Sequence, residues 1–180
     1  MTDVMVILLI VIGICLILIW YINIYNRFQT FIIRLNEAET NIDSVLRKRF
    51  DLLNKSIGII KSVTEKDDVL PTITRLKSKK LSNFELDRSL YEAINEYTVY
   101  KEDYKELMKN DSFVKIDISL NESEAEIVAL RKYYNDIITD YNEVARTFPS
   151  NIVRKISRYK IRPYFDGKNM EDDDINDFVL

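Results

Sequence analysis

From Val4 to Ile22 the chain carries no charge and no proline. As a helix rising about 1.5 Å per residue, this run would be about 28 Å long, against a bilayer hydrocarbon core of about 30 Å. Trp20 and Tyr21 stand where amphipathic rings prefer the membrane–water boundary. The pattern predicts a transmembrane anchor over residues 1–24, in contact with the lipid bilayer through Val4–Ile22. Beyond it the apolar positions recur in sevens. Phe31, Ala38, Val45, Leu52 and Ile59 form one stripe. Phe28, Leu35 and Ile42 flank it on one side, and Ile32, Leu46, Leu53 and Ile60 on the other. On a helix such series fall nearly above one another and make a face broader than a two-stranded seam, which suits a multi-helix bundle. No glycine or proline separates the two patterns, so a single helix is expected to leave the membrane and enter the bundle.

Residues 65–83 break the period; Asp67, Asp68, Pro71 and the Lys77–Lys80 region read as a connection with a short helical turn. A second helix is predicted from Phe84 to Met108, capped by Ser82 or Asn83, with Leu90, Tyr97 and Tyr104 as its stripe. Asn110 and Asp111 suggest a tight turn. A third helix carries Phe113, Leu120, Ile127, Tyr134, Tyr141 and Phe148 at intervals of seven and ends before Pro149. A short helix follows to about Lys160. The fold class is therefore all-α: an N-terminal transmembrane helix continuing into an antiparallel bundle of three long helices plus a short C-terminal helix. Residues 25–165 form the bundle and 166–180 an acidic flexible tail.

An export signal would open with positive charge and end in small residues. Here Asp3 is the only early side-chain charge, and the run ends in bulky groups. Cys15 follows Ile14, which does not suit a lipoprotein signal. Arg27 and Arg34 follow the run and no Lys or Arg precedes it. The positive-inside rule then puts the N-terminus outside the cell membrane and the bundle in the cytoplasm, as a single-pass protein. The net charge of −3 argues against a general nucleic-acid binder. Histidine is absent and cysteine occurs once, which removes the commonest general base and any thiolate metal site. No phosphate loop, nucleophile elbow or metal-spaced cluster is recognisable. The expectation is a non-enzyme with no catalytic residue, no cofactor and no metal. Asp172, Asp173 and Asp174 are adjacent, whereas Ca²⁺ loops space their ligands around a glycine.

The stretch Tyr25-Asn26, Asn36, Ile42-Asp43 and Leu46-Arg47-Lys48-Arg49-Phe50-Asp51-Leu52-Leu53 resembles the LemA family. So do Glu124, Ile127, Arg131, Tyr134-Asn135-Asp136, Tyr141-Asn142, Phe148-Pro149-Ser150-Asn151 and the closing Tyr164-Phe165. Asn54-Lys55 departs from the Pro-Asn that family members often carry, and a Lys-rich, Pro-containing segment replaces their Ala-rich middle. The resemblance implies a helical bundle behind a membrane anchor with its N-terminus outside. It implies no reaction.

Two groups of residues stand out. Arg49 falls on a core stripe, so an ion pair with an acid such as Glu124 is expected. With Tyr134 and Tyr141, also on buried positions, they form a candidate structural network. Arg154, Lys155, Arg158, Lys160 and Arg162 meet no acid in sequence, while Ile152, Ile156 and Tyr159 could make an apolar face. This suits a membrane surface or an acidic partner. Counting helix rises outward, back and outward again by about 55, 36 and 50 Å places Arg154 far from the anchor. Arg154, Lys155, Arg158 and Arg162 are thus candidates for binding another protein, with another membrane or the chain's own acidic tail as the other occupants. The leading expectation is a scaffold or adaptor in membrane or envelope organisation with an unidentified protein partner. The heptad stripes also allow a homo-oligomer. The alternative is a membrane-tethered sensor with a small ligand inside the bundle.

Overall fold

The computed structural model describes residues 2–77 and 81–165. The acidic tail with Asp172, Asp173 and Asp174 lies outside them, as do residues 78–80. All regular structure among the described residues is helical. The elements are α1 (Thr2–Thr64), α2 (Pro71–Leu76), α3 (Asn83–Asp103), a 3-10 turn (Lys105–Lys109), α4 (Asp111–Arg146) and α5 (Ser150–Ile156).

The expected single helix from the apolar run into the bundle is present as α1. Asp3 in its first turn and Lys61 in its last complement the helix dipole. It closes where Glu65 turns left-handed at φ 54° and its amide donates to the Lys61 carbonyl at 3.0 Å. The helix is long and apolar enough near its N-terminus to cross a membrane, and among the described residues none of that apolar window is buried.

The contacts divide the chain into two units. The larger comprises residues 38–135 and the chain from Tyr164. Its core joins Ile42, Leu46, Leu53 and Ile60 of α1 to Leu90, Ala93 and Tyr97 of α3 and Phe113, Leu120 and Ile127 of α4. Arg49 meets Glu124, and Tyr134 donates to Glu39 at 3.2 Å. These pairs make α4 antiparallel to α1. Asn83 donates to the Glu39 carbonyl at 3.2 Å, and Tyr97 donates to Asp117 at 3.4 Å. Hence α3 runs parallel to α1.

This overturns the direction expected for α3. The return is made between the end of α1 and the start of α3, where Val69, Leu70, Ile73 and Leu76 are buried. That segment has apolar side chains of its own and packs along α3. Thr72 donates to Glu96 at 2.6 Å, and the Lys66 ammonium lies 5.3 Å from the Tyr104 ring centre. Ser82 caps α3 with a reciprocal capping box through Glu85. The helix stops at Asp103, short of the expected Met108, and the 3-10 turn buries Leu107. Asn110 then accepts from the Ser112 and Phe113 amides at 3.0 and 3.1 Å, starting α4.

The smaller unit comprises residues 1–37 and 136–163. Tyr141 of α4 sits edge-on to Phe28 and Phe31, with ring centres 5.6 and 6.2 Å away. The helix ends at Arg146, before Phe148. Phe148 therefore leaves the heptad register and is 75 % exposed, not on the buried stripe. Within α5, Val153 is the buried side chain. Its C-terminus is a Schellman turn: the Tyr159 amide donates to the Arg154 carbonyl at 3.0 Å and the Arg158 amide to the Lys155 carbonyl at 3.3 Å. Arg158 takes the left-handed position at φ 56°.

Candidate functional site at the end of the apolar run

The turn after α5 packs against the last turns of the apolar part of α1. The hydroxyls of Tyr21 and Ser157 share a hydrogen bond of 3.1 Å. The Tyr159 ring lies 6.1 Å from that of Tyr25 and 4.9 Å from that of Phe28, centre to centre. Gln29 donates to the Tyr159 hydroxyl at 2.7 Å. Burial, with a hydrogen bond to Tyr25, raises the Tyr159 pKa above the ordinary tyrosine value. The expectation that Arg154 stands far from the apolar run is thus corrected. Helix-by-helix addition failed because the connection between α1 and α3, which holds only the short α2, made one of the returns.

The basic residues surround this turn. Lys155, Arg158 and Lys160 are exposed; Arg154 and Arg162 are half-buried. Among the described residues Arg154, Lys155, Arg158 and Lys160 make no ion pair. Arg154 Nε is buried without an acceptor. The charges of Arg162 and Arg154 favour the Tyr141 phenolate, yet burial outweighs them and raises the Tyr141 pKa. The expected apolar face is also revised: Tyr159 packs inward, whereas Ile152 and Ile156 are exposed.

Behind the turn the chain is held by a side-chain amide. Asn142 donates to the Arg162 carbonyl at 2.8 Å and accepts from the Arg162 amide at 3.0 Å. The Tyr141 hydroxyl donates to the Lys160 carbonyl at 2.7 Å. In the larger unit Asn135 makes the same two-way clasp with Phe165, at 2.9 and 2.6 Å. Sequence reading placed both asparagines beside core tyrosines but missed their partner. That partner is backbone after the last helix and carries no periodic signal.

The second group divides. Arg49, 3 % exposed, pairs with Glu124 as expected. Tyr134 meets Glu39 and the Phe165 ring, whereas Tyr141 belongs to the smaller unit. Two further pairs were not anticipated: Arg131 with the buried Asp87, and Lys101 with Asp117 at 2.8 Å. A recess of about 210 Å³ is lined by Glu39, Ile42, Ser82, Asn83, Phe84, Tyr134 and Phe165. It includes neither Arg49 nor Tyr141, and Asn83 and Tyr134 spend hydrogen bonds on Glu39. Among the described residues no three acidic or thiol side chains are grouped to hold a metal ion.

The model of the LemA family matches residues 38–176. The chain belongs to the LemA family. The match takes in Arg49, Glu124 and both asparagine clasps, and it starts after the apolar run. The resemblance of Tyr25-Asn26 and Asn36 thus lies outside the matched span. No curated protein matches this LemA chain.

Proposed function

We propose that this LemA protein spans the cell membrane once, with its N-terminus outside and its bundle in the cytoplasm. It acts without catalysis, as a scaffold that holds a protein-binding bundle beside the bilayer. The observation that carries this reading is the continuity of α1. Its apolar run has every large aliphatic side chain exposed, and the same helix supplies the core of the bundle. An uncovered apolar surface of that size calls for lipid around it. Arg27 and Arg34 support the orientation. Two pairings that reach buried charged groups, Arg49–Glu124 and Asp87–Arg131, favour one fixed arrangement of the bundle.

The test is crosslinking of the full-length chain in native membranes, read by mass spectrometry, with parallel labelling of single engineered cysteines by an impermeant maleimide. The account expects a defined protein crosslinked to the bundle and competed by excess purified chain. It also expects labelling at Thr2→Cys and not at Lys109→Cys in intact cells. The absence of a competable partner contradicts the scaffold role, and the reverse labelling pattern contradicts the orientation.

A further inference from the structure

After α4, apolar side chains stand in solvent beside cations that make no ion pair among the described residues. Phe148 is 75 % exposed, Ile152 43 % and Ile156 63 %. Ile152 and Ile156 are four apart on α5 and share a face. Lys155, Arg158 and Lys160 are exposed next to them. Apolar residues flanked by cations make up an element that lies in a membrane interface.

Its place in the fold selects the occupant. Ser157 is hydrogen-bonded to Tyr21 and Tyr159 packs on Tyr25, where the apolar run gives way to Asn26 and Arg27. If α1 crosses the bilayer, the turn sits at headgroup depth, on the side where anionic lipids attract Lys and Arg. Arg158 adds an independent sign. It takes a left-handed backbone position at φ 56°, which glycine adopts without penalty and arginine does not. A cation kept at a strained position suits a charge with a task.

We infer that residues 148–160 form a second membrane contact, docked on the anionic surface of the bilayer beside the chain's own span. Phe148, Ile152 and Ile156 enter the boundary between headgroups and acyl chains. Lys155, Arg158 and Lys160 bind lipid phosphates. The contact rests on the membrane-spanning reading above. It would fix the tilt of the smaller unit against the bilayer, which a single helix leaves free to vary.

The experiment uses the full-length chain with Cys15→Ser, labelled with an environment-sensitive fluorophore at Ile156→Cys or, separately, at Val11→Cys. Each is reconstituted into nanodiscs of neutral lipid or of neutral lipid mixed with phosphatidylglycerol. Quenchers are placed in the headgroups or the acyl chains. Acyl quenching at position 11 reports the span. Headgroup quenching at position 156 that strengthens with phosphatidylglycerol reports the docked turn. Each cation near an anionic surface contributes about fivefold to occupancy. Charge reversal of Lys155, Arg158 and Lys160 to Glu should therefore lower the docked fraction at least about tenfold, and Arg158→Gly, which suits the backbone, about fivefold. Quenching at 11 with none at 156, or quenching at 156 indifferent to lipid charge and to both variants, overturns the inference alone. No quenching at 11 overturns the spanning reading and the inference with it.

Discussion

Tyr21 and Ser157, 136 positions apart, share a hydrogen bond of 3.1 Å. The bond brings the turn after α5 onto the end of the apolar run. It also fixes the direction of α4 in the smaller unit, where Tyr141 lies against Phe28 and Phe31. A basic segment that would otherwise have been an outlying arm becomes part of the region where α1 changes from apolar to polar.

Arg158→Gly should stabilise the protein while weakening its hold on anionic lipid. The left-handed position of Arg158 costs an L-residue about 1 kcal/mol, and glycine removes that cost. For a chain of this size the thermal midpoint should rise by about 2–4 °C in detergent. A falling midpoint would mean that the arginine side chain contributes more to the fold than its backbone costs.

Glu124→Ala should be more harmful than removing both members of its pair. Arg49 is 3 % exposed and would keep its charge without a partner. The Glu124 side chain is 53 % exposed, so water can replace part of what is lost. The cost should be about 2 kcal/mol. Arg49→Met combined with Glu124→Ala should recover most of it in denaturant titrations. Additive losses would mean that the pair is not coupled.

Asn142→Ala should release the segment behind the basic turn and leave the bundle folded. Two hydrogen bonds to the Arg162 backbone vanish. The local cost should be about 1–2 kcal/mol, since water reaches the freed groups. Amide exchange at Arg162 should accelerate, while that at buried α4 positions such as Ile127 should not. Uniform acceleration would contradict a local clasp.

Stability should fall as the solution becomes strongly alkaline. Burial, with Asp117 nearby, raises the Tyr97 pKa well above its ordinary value; burial also raises that of Tyr141. Above about pH 10 the unfolded chain releases phenolic protons that the folded chain still holds, so unfolding gains from the rise in pH. The stabilisation is complete below that pH and is lost through the folded-state values. Tyr97→Phe should flatten the decline, because its ring contact with Phe113 survives without a titrating group. An unchanged slope would show that Tyr97 does not govern it.

Much of the helical content was legible because the period of seven leaves a repeated mark. The run from Phe28 to Ile60 and the run from Phe113 to Tyr141 became α1 and α4. Arg49 with Glu124 was legible for the same reason, since a charge on a buried stripe calls for a partner. Two things were not. Val69, Leu70, Ile73 and Leu76 are too few and too irregularly spaced to reveal a segment packing back along α3. The clasps of Asn135 and Asn142 bind backbone groups, which every residue possesses, so no side chain at residues 162 or 165 announces them. Missing the first reversed the expected direction of α3 and α4. The basic segment was then placed at the wrong end.

The closure of the terminal turn on the apolar run is best tested by a short thiol-to-thiol crosslinker in native membranes. The chain would carry Cys15→Ser, Tyr21→Cys and Ser157→Cys. The account predicts an efficient intramolecular link, abolished in either single-cysteine variant. If both cysteines accept a monofunctional reagent yet no link forms, the turn does not lie against the end of the apolar run, and the account of this site is wrong.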